Sequence, residues 1–151
     1  MREDLFGVGH PSIPPAKHRS KVSIVGTGQV GLACAYSMIN QGTARELVLH
    51  DVASKLEALQ AEVEDLRHGA EFVQQVSISA TCDFKDTANS DIVIIPAGAR
   101  QREGESRLDL VARNVAIFES IVPSIAAASP DAVLLILTNP CDVMTHVATR
   151  I

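Results

Sequence analysis

A glycine-rich turn at the end of a short apolar segment constrains the fold of this chain more than any other feature. The segment and turn read KVSIVGTGQVG at residues 21–31, and a helix-forming stretch follows. A second apolar segment, LVLH, then ends in Asp51. A strand, a glycine turn, a helix and a strand that ends in a carboxylate form the βαβ unit that binds dinucleotides. The alternative for the glycines alone is an ordinary turn, which the acid at the expected distance disfavours.

The residues of this unit suit a pyrophosphate and a ribose. Gly26 permits a tight turn, Gly28 leaves room for phosphate oxygens, and Gly31 lets the helix pack on the strand. The helix that starts near Gln29 directs free amide groups and the positive end of its dipole at the phosphates. Asp51 is predicted to accept both hydrogens of the adenosine ribose diol and to repel a 2′-phosphate. The predicted cofactor is therefore NAD rather than NADP.

Strand and helix patterns alternate along the rest of the chain. Strands are predicted at 21–25, 46–50, 75–81, 91–95 and 132–137, and helices at 29–40, 54–70, 108–128 and from about residue 142. Ser54 and Glu57 have the spacing of a capping box for the second helix. The fold class is α/β, a doubly wound parallel sheet of Rossmann type. The third strand is expected near the sheet edge, and the fourth and fifth are expected to be covered on both faces.

The predicted domain organisation is an arm followed by one incomplete domain. Residues 1–20 are rich in proline and polar groups and are predicted to lie outside the core. Residues 21–151 are assigned to the dinucleotide-binding domain, which stops before the sixth strand that such a sheet usually has. The chain is accordingly expected to be a fragment that lacks the catalytic second domain.

Composition excludes several other classes of function. The chain has 151 residues and a net charge of −5, which disfavours a nucleic-acid surface. No continuous apolar run approaches the roughly eighteen residues of a membrane span, and the charged start is unlike a secretory signal. The three cysteines are scattered without metal-ligand spacing, so no metal is predicted. These features predict a cytosolic protein.

Three further segments resemble L-lactate dehydrogenases. The most specific is PAGARQREGESRL at 96–108 with VARN at 111–114, which resembles the family's active-site loop and following helix. DLRHG at 65–69 and TNPCD at 138–142 are similar to two more family segments. The likeness covers about residues 21–151, roughly the N-terminal half of a member. It implies a cytoplasmic, tetrameric enzyme of glycolysis that interconverts L-lactate and pyruvate by hydride transfer to and from NAD.

The resemblance also implies roles for individual residues. Arg107 matches the catalytic loop arginine that closes over the substrate and polarises its carbonyl. Gln101 matches the residue that contacts the substrate side chain, and a neutral amide there favours pyruvate over oxaloacetate. Asn139 matches a residue that holds both the nicotinamide and the substrate, and Arg100 lies toward the pyrophosphate. The implied cofactor-binding set is Gly26, Gly28, Gln29, Val30, Gly31, Asp51, Gly98, Ala99, Arg100 and Asn139.

The family's proton-donating histidine, its partner aspartate and the arginine that binds the carboxylate lie outside these residues by the same resemblance. The chain alone is therefore expected to be inactive. His50 and His68 do not match the family's acid/base position and are interpreted as structural or exposed. Pro96, Cys141 and Thr149 depart from the family's usual residues.

Two alternatives to a lactate dehydrogenase remain open. The first is a malate dehydrogenase. Arg100 and Arg102 flank Gln101, and a shift of the loop by one residue would place a cation where malate dehydrogenases carry one. The charged loop taken alone is also compatible with a solvated surface turn. The second alternative is a module that binds NAD or a partner without catalysis.

Overall fold

The computed structural model of the protein describes residues 20–70 and 76–151. The predicted arm at 1–19 and residue 75 of the predicted third strand lie outside the described residues. Ser20, which the sequence assigned to the arm, belongs to the folded part. Its carbonyl oxygen accepts hydrogen bonds from the backbone amides of Arg45, at 3.0 Å, and Glu46, at 3.3 Å.

Five parallel strands form one sheet in the order β3-β2-β1-β4-β5. The strands are β1 (Lys21–Val25), β2 (Glu46–His50), β3 (Ser77–Thr81), β4 (Ile92–Ile95) and β5 (Val133–Ile136). The helices are α1 (Gln29–Gln41), α2 (Leu56–Ala70), α3 (Arg107–Ala128) and α4 (Cys141–Ala148). The predicted Rossmann-type fold is confirmed. Strand order reverses between β1 and β4, and a crevice at the carboxyl ends of strands is expected at that point.

Side chains that alternate along the central strands supply two separate cores. Val22 and Ile24 of β1 pack with α1 and α2 on one face of the sheet. Val25 of β1 and Val93 of β4 pack with Phe118 of α3 on the opposite face. Successive strand residues point to opposite faces, so β1 contributes to both cores. Because these strands pack on both faces, their carboxyl ends, where the crevice is expected, are held in place.

The sequence predicted the surroundings of one edge strand correctly and those of the other wrongly. The position of β3 at an edge is confirmed. The prediction that β5 is covered on both faces was wrong, since Val133 is 64% exposed and Leu135 is 47% exposed. Leu134 and Ile136 pack on the core shared with α3 and α4. In the described part of the chain, α1 and α2 cover the other face without reaching over β5.

The predicted capping box at Ser54 and Glu57 was also wrong. Ser54 lies inside a 3-10 turn, Ala53–Lys55, and α2 begins at Leu56. A capping box occurs instead at α3, where Ser106 Oγ accepts from the Asp109 amide at 3.2 Å. The Asp109 carboxylate in turn accepts from the Ser106 amide at 3.3 Å. This box fixes the point at which the loop after β4 becomes α3.

One described helix, α3, is long and apolar enough to cross a membrane by length and composition. Its residues Phe118, Val122 and Ile125 are buried against the sheet. This contact accounts for its apolar face as part of the protein core, and its length alone is weak evidence for a membrane span.

Candidate functional site

A crevice of about 920 Å³ opens at the carboxyl ends of β1, β4 and β5. Its volume lies in the range of small-molecule sites. Every predicted cofactor-binding residue lines it, and so does Gln101. One side is the glycine wall, which we define as residues 26–31 together with Asp51. The other side is formed by residues 96–101 of the loop after β4. We call the whole loop, residues 96–106, the loop wall.

In the glycine wall, two glycines lie in close contact with neighbouring backbone atoms. Gly26 has φ +103°, and a Cβ there would lie 2.6 Å from Ala97 Cα. A Cβ on Gly31 would lie 2.2 Å from the carbonyl oxygen of Gly26. Both distances are far below a van der Waals contact, so only glycine fits at these two positions. Gly28 differs, because a Cβ there would meet nothing within 4 Å. The space at Gly28 is open toward the crevice.

Asp51 is buried at the end of β2 and is hydrogen-bonded within the chain. One carboxylate oxygen accepts from the Thr27 amide at 3.0 Å and the Thr27 hydroxyl at 2.9 Å. The other accepts from the Val52 amide at 2.8 Å. Lys55 Nζ lies 3.4 Å from the oxygen that Thr27 contacts. Burial acts to raise the Asp51 pKa, but these hydrogen bonds and Lys55 outweigh it and hold the pKa below its ordinary value. Asp51 is therefore a carboxylate at neutral pH.

Thr27 and Lys55 were missed by the sequence analysis. The signal for Lys55 was its position four residues after Asp51, which places it one helical turn away. Thr27 lies between Gly26 and Gly28, and nothing in the sequence marked its hydroxyl as a partner of Asp51.

His50 precedes Asp51 and points away from the crevice. Its ring stacks on Phe84 with centroids 4.0 Å apart. Neither ring nitrogen has a hydrogen-bond partner within the described residues. Burial lowers the His50 pKa, against smaller opposing effects of Cys82, Asp51 and Asp83. His50 is thus a buried neutral ring, and its position fits the structural role expected of it.

Arg100 of the loop wall reaches across the crevice to the glycine wall. Its guanidinium donates to the side-chain oxygen of Gln29 at 3.0 Å. The neighbouring Gln101 donates from its amide nitrogen to the Glu105 carbonyl at 2.8 Å. The two adjacent residues therefore have different surroundings, Arg100 beside the helix start and Gln101 within its own loop.

An ion pair fastens the loop wall to α3. Arg113 contacts the Glu105 carboxylate at 2.8 Å and donates to the Arg100 carbonyl at 3.1 Å. The second Glu105 oxygen accepts from the Arg102 amide at 2.8 Å. One arginine of α3 thus holds both ends of the charged segment 100–105, a set of contacts that loop composition did not reveal.

Asn114 connects the ends of β4 and β5 beneath the crevice. Its side-chain oxygen accepts from the Ala99 amide at 2.8 Å, and its nitrogen donates to the Asn139 carbonyl at 3.0 Å. The side chain is buried. Gly98 lies against it, since a Cβ there would come within 2.6 Å of Thr138 Cγ2 and 3.3 Å of the Asn114 oxygen. The sequence analysis noted Asn114 only as part of a family segment.

Arg107 is the predicted site residue that the structure does not bring into the crevice. It is exposed at the first turn of α3 and is absent from the residues that line the cavity. The crevice is lined instead by Leu110, Ile117 and Ile121 of α3. Their spacing of seven and four residues places them on one helical face. That spacing was a signal for an apolar subsite that sequence reasoning passed over.

The chain's residues fit a bound dinucleotide. Open space at Gly28 lies at the N-terminus of α1, where amide groups and the helix dipole favour phosphate. The Asp51 carboxylate and the apolar face of Leu110, Ile117 and Ile121 line the same crevice.

Comparison with known proteins places the chain in a family. The family profile described as lactate/malate dehydrogenase, NAD binding domain, matches residues 20–151. The chain therefore belongs to the lactate/malate dehydrogenase family and is an NAD-binding domain of that family.

Individual relatives agree with this assignment. Human L-lactate dehydrogenase A-like 6A is 51% identical over 136 residues, which cover 90% of this chain and 40% of the relative. L-lactate dehydrogenase of Synechococcus sp. (strain JA-3-3Ab) is 52% identical over 87% of this chain and 42% of the relative. The chain thus spans about two fifths of the length of these relatives.

Solved structures show the same fold. A lactate dehydrogenase from a Medee basin deep-sea metagenome library aligns with a TM-score of 0.81 and 42% identity. The alignment covers 87% of this chain and 41% of that chain. The minor L-lactate dehydrogenase of Enterococcus mundtii aligns with a TM-score of 0.80 and 38% identity over the same shares.

Proposed function

We propose that this chain is the NAD-binding part of an L-lactate dehydrogenase that interconverts L-lactate and pyruvate. The observation that carries the proposal is the pairing, in one crevice, of an ionised Asp51 on the glycine wall with a neutral Gln101 on the loop wall. The first suits a ribose diol, and the second offers no countercharge to a second substrate carboxylate. The names of the two relatives described above support the same activity.

The proposed division of labour follows the two walls. The α1 N-terminus and the space at Gly28 bind the pyrophosphate, Asp51 binds the adenosine ribose, and Arg100 approaches the phosphates from its position beside Gln29. Asn139, at the carboxyl end of β5, orients the nicotinamide. When bound, NAD supplies the hydride acceptor or donor of the reaction.

Arg107 is proposed to polarise the substrate carbonyl. A guanidinium is permanently charged and donates to oxygen in a fixed geometry as negative charge develops there. Because Arg107 lies outside the crevice in this structure, the role requires the loop wall to close over the substrate. Gly104, with φ +77°, is a point in the loop where the backbone conformation favours glycine.

The proton donor and the group that binds the substrate carboxylate are proposed to lie in a part of the enzyme beyond these residues. The described chain then binds cofactor without turnover. By the same resemblance we propose a cytosolic homotetramer.

A substrate comparison tests the proposal. The full-length protein that contains this chain is assayed with NADH and either pyruvate or oxaloacetate, and pyruvate is expected to give the higher kcat/KM. Gln101→Arg should reduce this preference by about tenfold or more, since a desolvated ion pair with the second carboxylate is worth at least about 1.4 kcal/mol.

The matched control is Arg102→Gln, which changes an exposed neighbour in the same loop. It should leave the preference unchanged. A wild-type preference for oxaloacetate would favour the malate dehydrogenase alternative, and loss of that preference in Arg102→Gln would assign the shifted loop register. Absence of turnover with both acids, despite NADH binding, would favour a non-catalytic module.

A further inference from the structure

Four hydrogen-bond donors converge on the Asp51 carboxylate. They are the amide and hydroxyl of Thr27, at 3.0 and 2.9 Å, the amide of Val52, at 2.8 Å, and the Lys55 ammonium, at 3.4 Å. We call Thr27, Val52 and Lys55 the donor cluster. Converging backbone amides, a hydroxyl and an ammonium are the groups that bind anions such as phosphate. In this chain the anion that they hold is Asp51 itself.

Two residues of the donor cluster, Val52 and Lys55, line the crevice beside the proposed ribose position. Asp51, Val52 and Lys55 line the same cavity as Gly28 and the start of α1. The Lys55 side chain is 61% exposed, so its ammonium is accessible to a ligand as well as to Asp51. A 2′-phosphate on a ribose bound at Asp51 would therefore meet a negative carboxylate and a positive ammonium together.

We infer that Lys55 determines the size of the discrimination between NAD and NADP. Its charge offsets part of the repulsion that Asp51 exerts on a 2′-phosphate, so the wild-type preference for NAD is smaller than Asp51 alone would give. Once the carboxylate is removed, Lys55, Thr27 and the Val52 amide become partners for the 2′-phosphate. The inference rests on the proposed placement of the adenosine ribose at Asp51.

The inference predicts opposite effects of two substitutions. Lys55→Ala should raise the ratio of NADH to NADPH affinity by about two- to fivefold, the range of an exposed ion pair. Asp51→Ser should lower that ratio by about tenfold or more, because it removes the repulsion and frees the donors. In the double variant Asp51→Ser/Lys55→Ala, part of the NADPH affinity gained by Asp51→Ser should be lost again.

The experiment is a titration of NADH and NADPH by calorimetry at low ionic strength, where surface charges are least screened. It uses the wild-type chain, the two single variants and the double variant. Arg45→Ala is the matched control, because it also removes one exposed positive charge but at the opposite end of β2. Circular dichroism establishes that each variant is folded, and the exposed Lys55→Ala decides the question if Asp51→Ser does not fold.

The outcomes separate the inference from the proposed function. An affinity ratio that rises in Lys55→Ala and is unchanged in Arg45→Ala supports the role of Lys55. An unchanged ratio in Lys55→Ala, with normal NADH binding, overturns this inference and leaves the proposed function standing. Failure of the wild-type chain to bind NADH overturns the cofactor site and this inference with it.

Discussion

The glycine wall and the loop wall face the same crevice but are held in place by different means. In the glycine wall, Gly26 and Gly31 lie so close to neighbouring backbone that a single added methyl would overlap it. In the loop wall, side chains of α3 hold the backbone, chiefly Asn114 at the base and Arg113 at the charged segment. The glycine wall depends on residues that have no side chain. The loop wall depends on polar contacts that can exchange partners.

This difference matches what each wall has to recognise. The glycine wall is proposed to bind a single cofactor, NAD, and its close backbone packing at Gly26 and Gly31 gives that cofactor a constant surface. The loop wall carries Gln101, and the proposed position of Arg107 requires it to move. The Arg113–Glu105 pair is partly buried, with side chains 31% and 11% exposed, so breaking it during such a movement would cost more than breaking a surface ion pair.

The largest expected effect is that of Gly31→Ala. The new methyl would lie 2.2 Å from the Gly26 carbonyl oxygen, a backbone atom that cannot move without shifting the turn. We expect the free energy of unfolding to fall by about 3 kcal/mol or more, at or above the upper end of the usual cost of overpacking. Urea unfolding followed by circular dichroism measures it.

Gly28→Ala is the matched control within the same turn. Its methyl would meet nothing within 4 Å, so stability should stay within about 1 kcal/mol of wild type. NADH binding should nevertheless weaken, because the methyl occupies the space proposed for phosphate. Equal stability losses in the two variants would contradict the distinction between packing and ligand-facing glycines.

A smaller loss is expected for Asn114→Ala at the base of the loop wall. The change leaves the Ala99 amide and the Asn139 carbonyl without their side-chain partner. We expect the free energy of unfolding to fall by about 2–3 kcal/mol. Asn40→Ala is the control, since within the described residues exposed Asn40 bonds only to the Tyr36 carbonyl of its own helix, and it should change stability by less than about 0.5 kcal/mol. A similar result for both variants would mean that Asn114 is not a structural link.

The smallest effect concerns His50 and is confined to mildly acidic solution. Its folded-state pKa lies below the ordinary 6.5 because burial disfavours the charged ring. Between the folded-state pKa and 6.5 the unfolded chain binds a proton that the folded chain does not, so the free energy of unfolding falls as the pH drops through this window.

His50→Leu should reduce the pH dependence of stability between pH 7.5 and about 5.5, measured by urea unfolding at several pH values. His68→Gln removes an exposed histidine of α2 and should preserve the wild-type dependence. If the slope is unchanged in His50→Leu, burial of His50 does not contribute to acid sensitivity.

Local patterns were sufficient to predict most of the fold. The bounds of β1 and β2 match the prediction, because each is a short apolar run followed by a turn or an acid. The end of α1 was predicted from Gly42, which has φ +61°. The start of α2 was not, because the turn after Asp51 tightens into a 3-10 conformation that the spacing of Ser54 and Glu57 does not encode.

The errors elsewhere involve contacts between distant parts of the chain. The exposure of β5 depends on which helices reach over it, and its apolar sequence carries no such information. Asn114 joins residues 15 and 25 positions away, so no local pattern marks it. In the glycine wall, the close approach at Gly31 lies within the βαβ unit, since a Cβ there would meet the Gly26 carbonyl oxygen, whereas Gly26 packs against the distant Ala97. The place of Arg107 depends on the conformation of a whole loop.

Asn114 also bears on how a chain of this kind can diversify. Because its amide spans the ends of β4 and β5, the distance between those ends is set beneath the crevice and independently of residues 100–106. Substitutions at 101–106 would therefore leave this link beneath the crevice intact. Residues 101–106, where substrate selectivity is proposed to reside, can therefore change while Asn114 keeps the ends of β4 and β5 together.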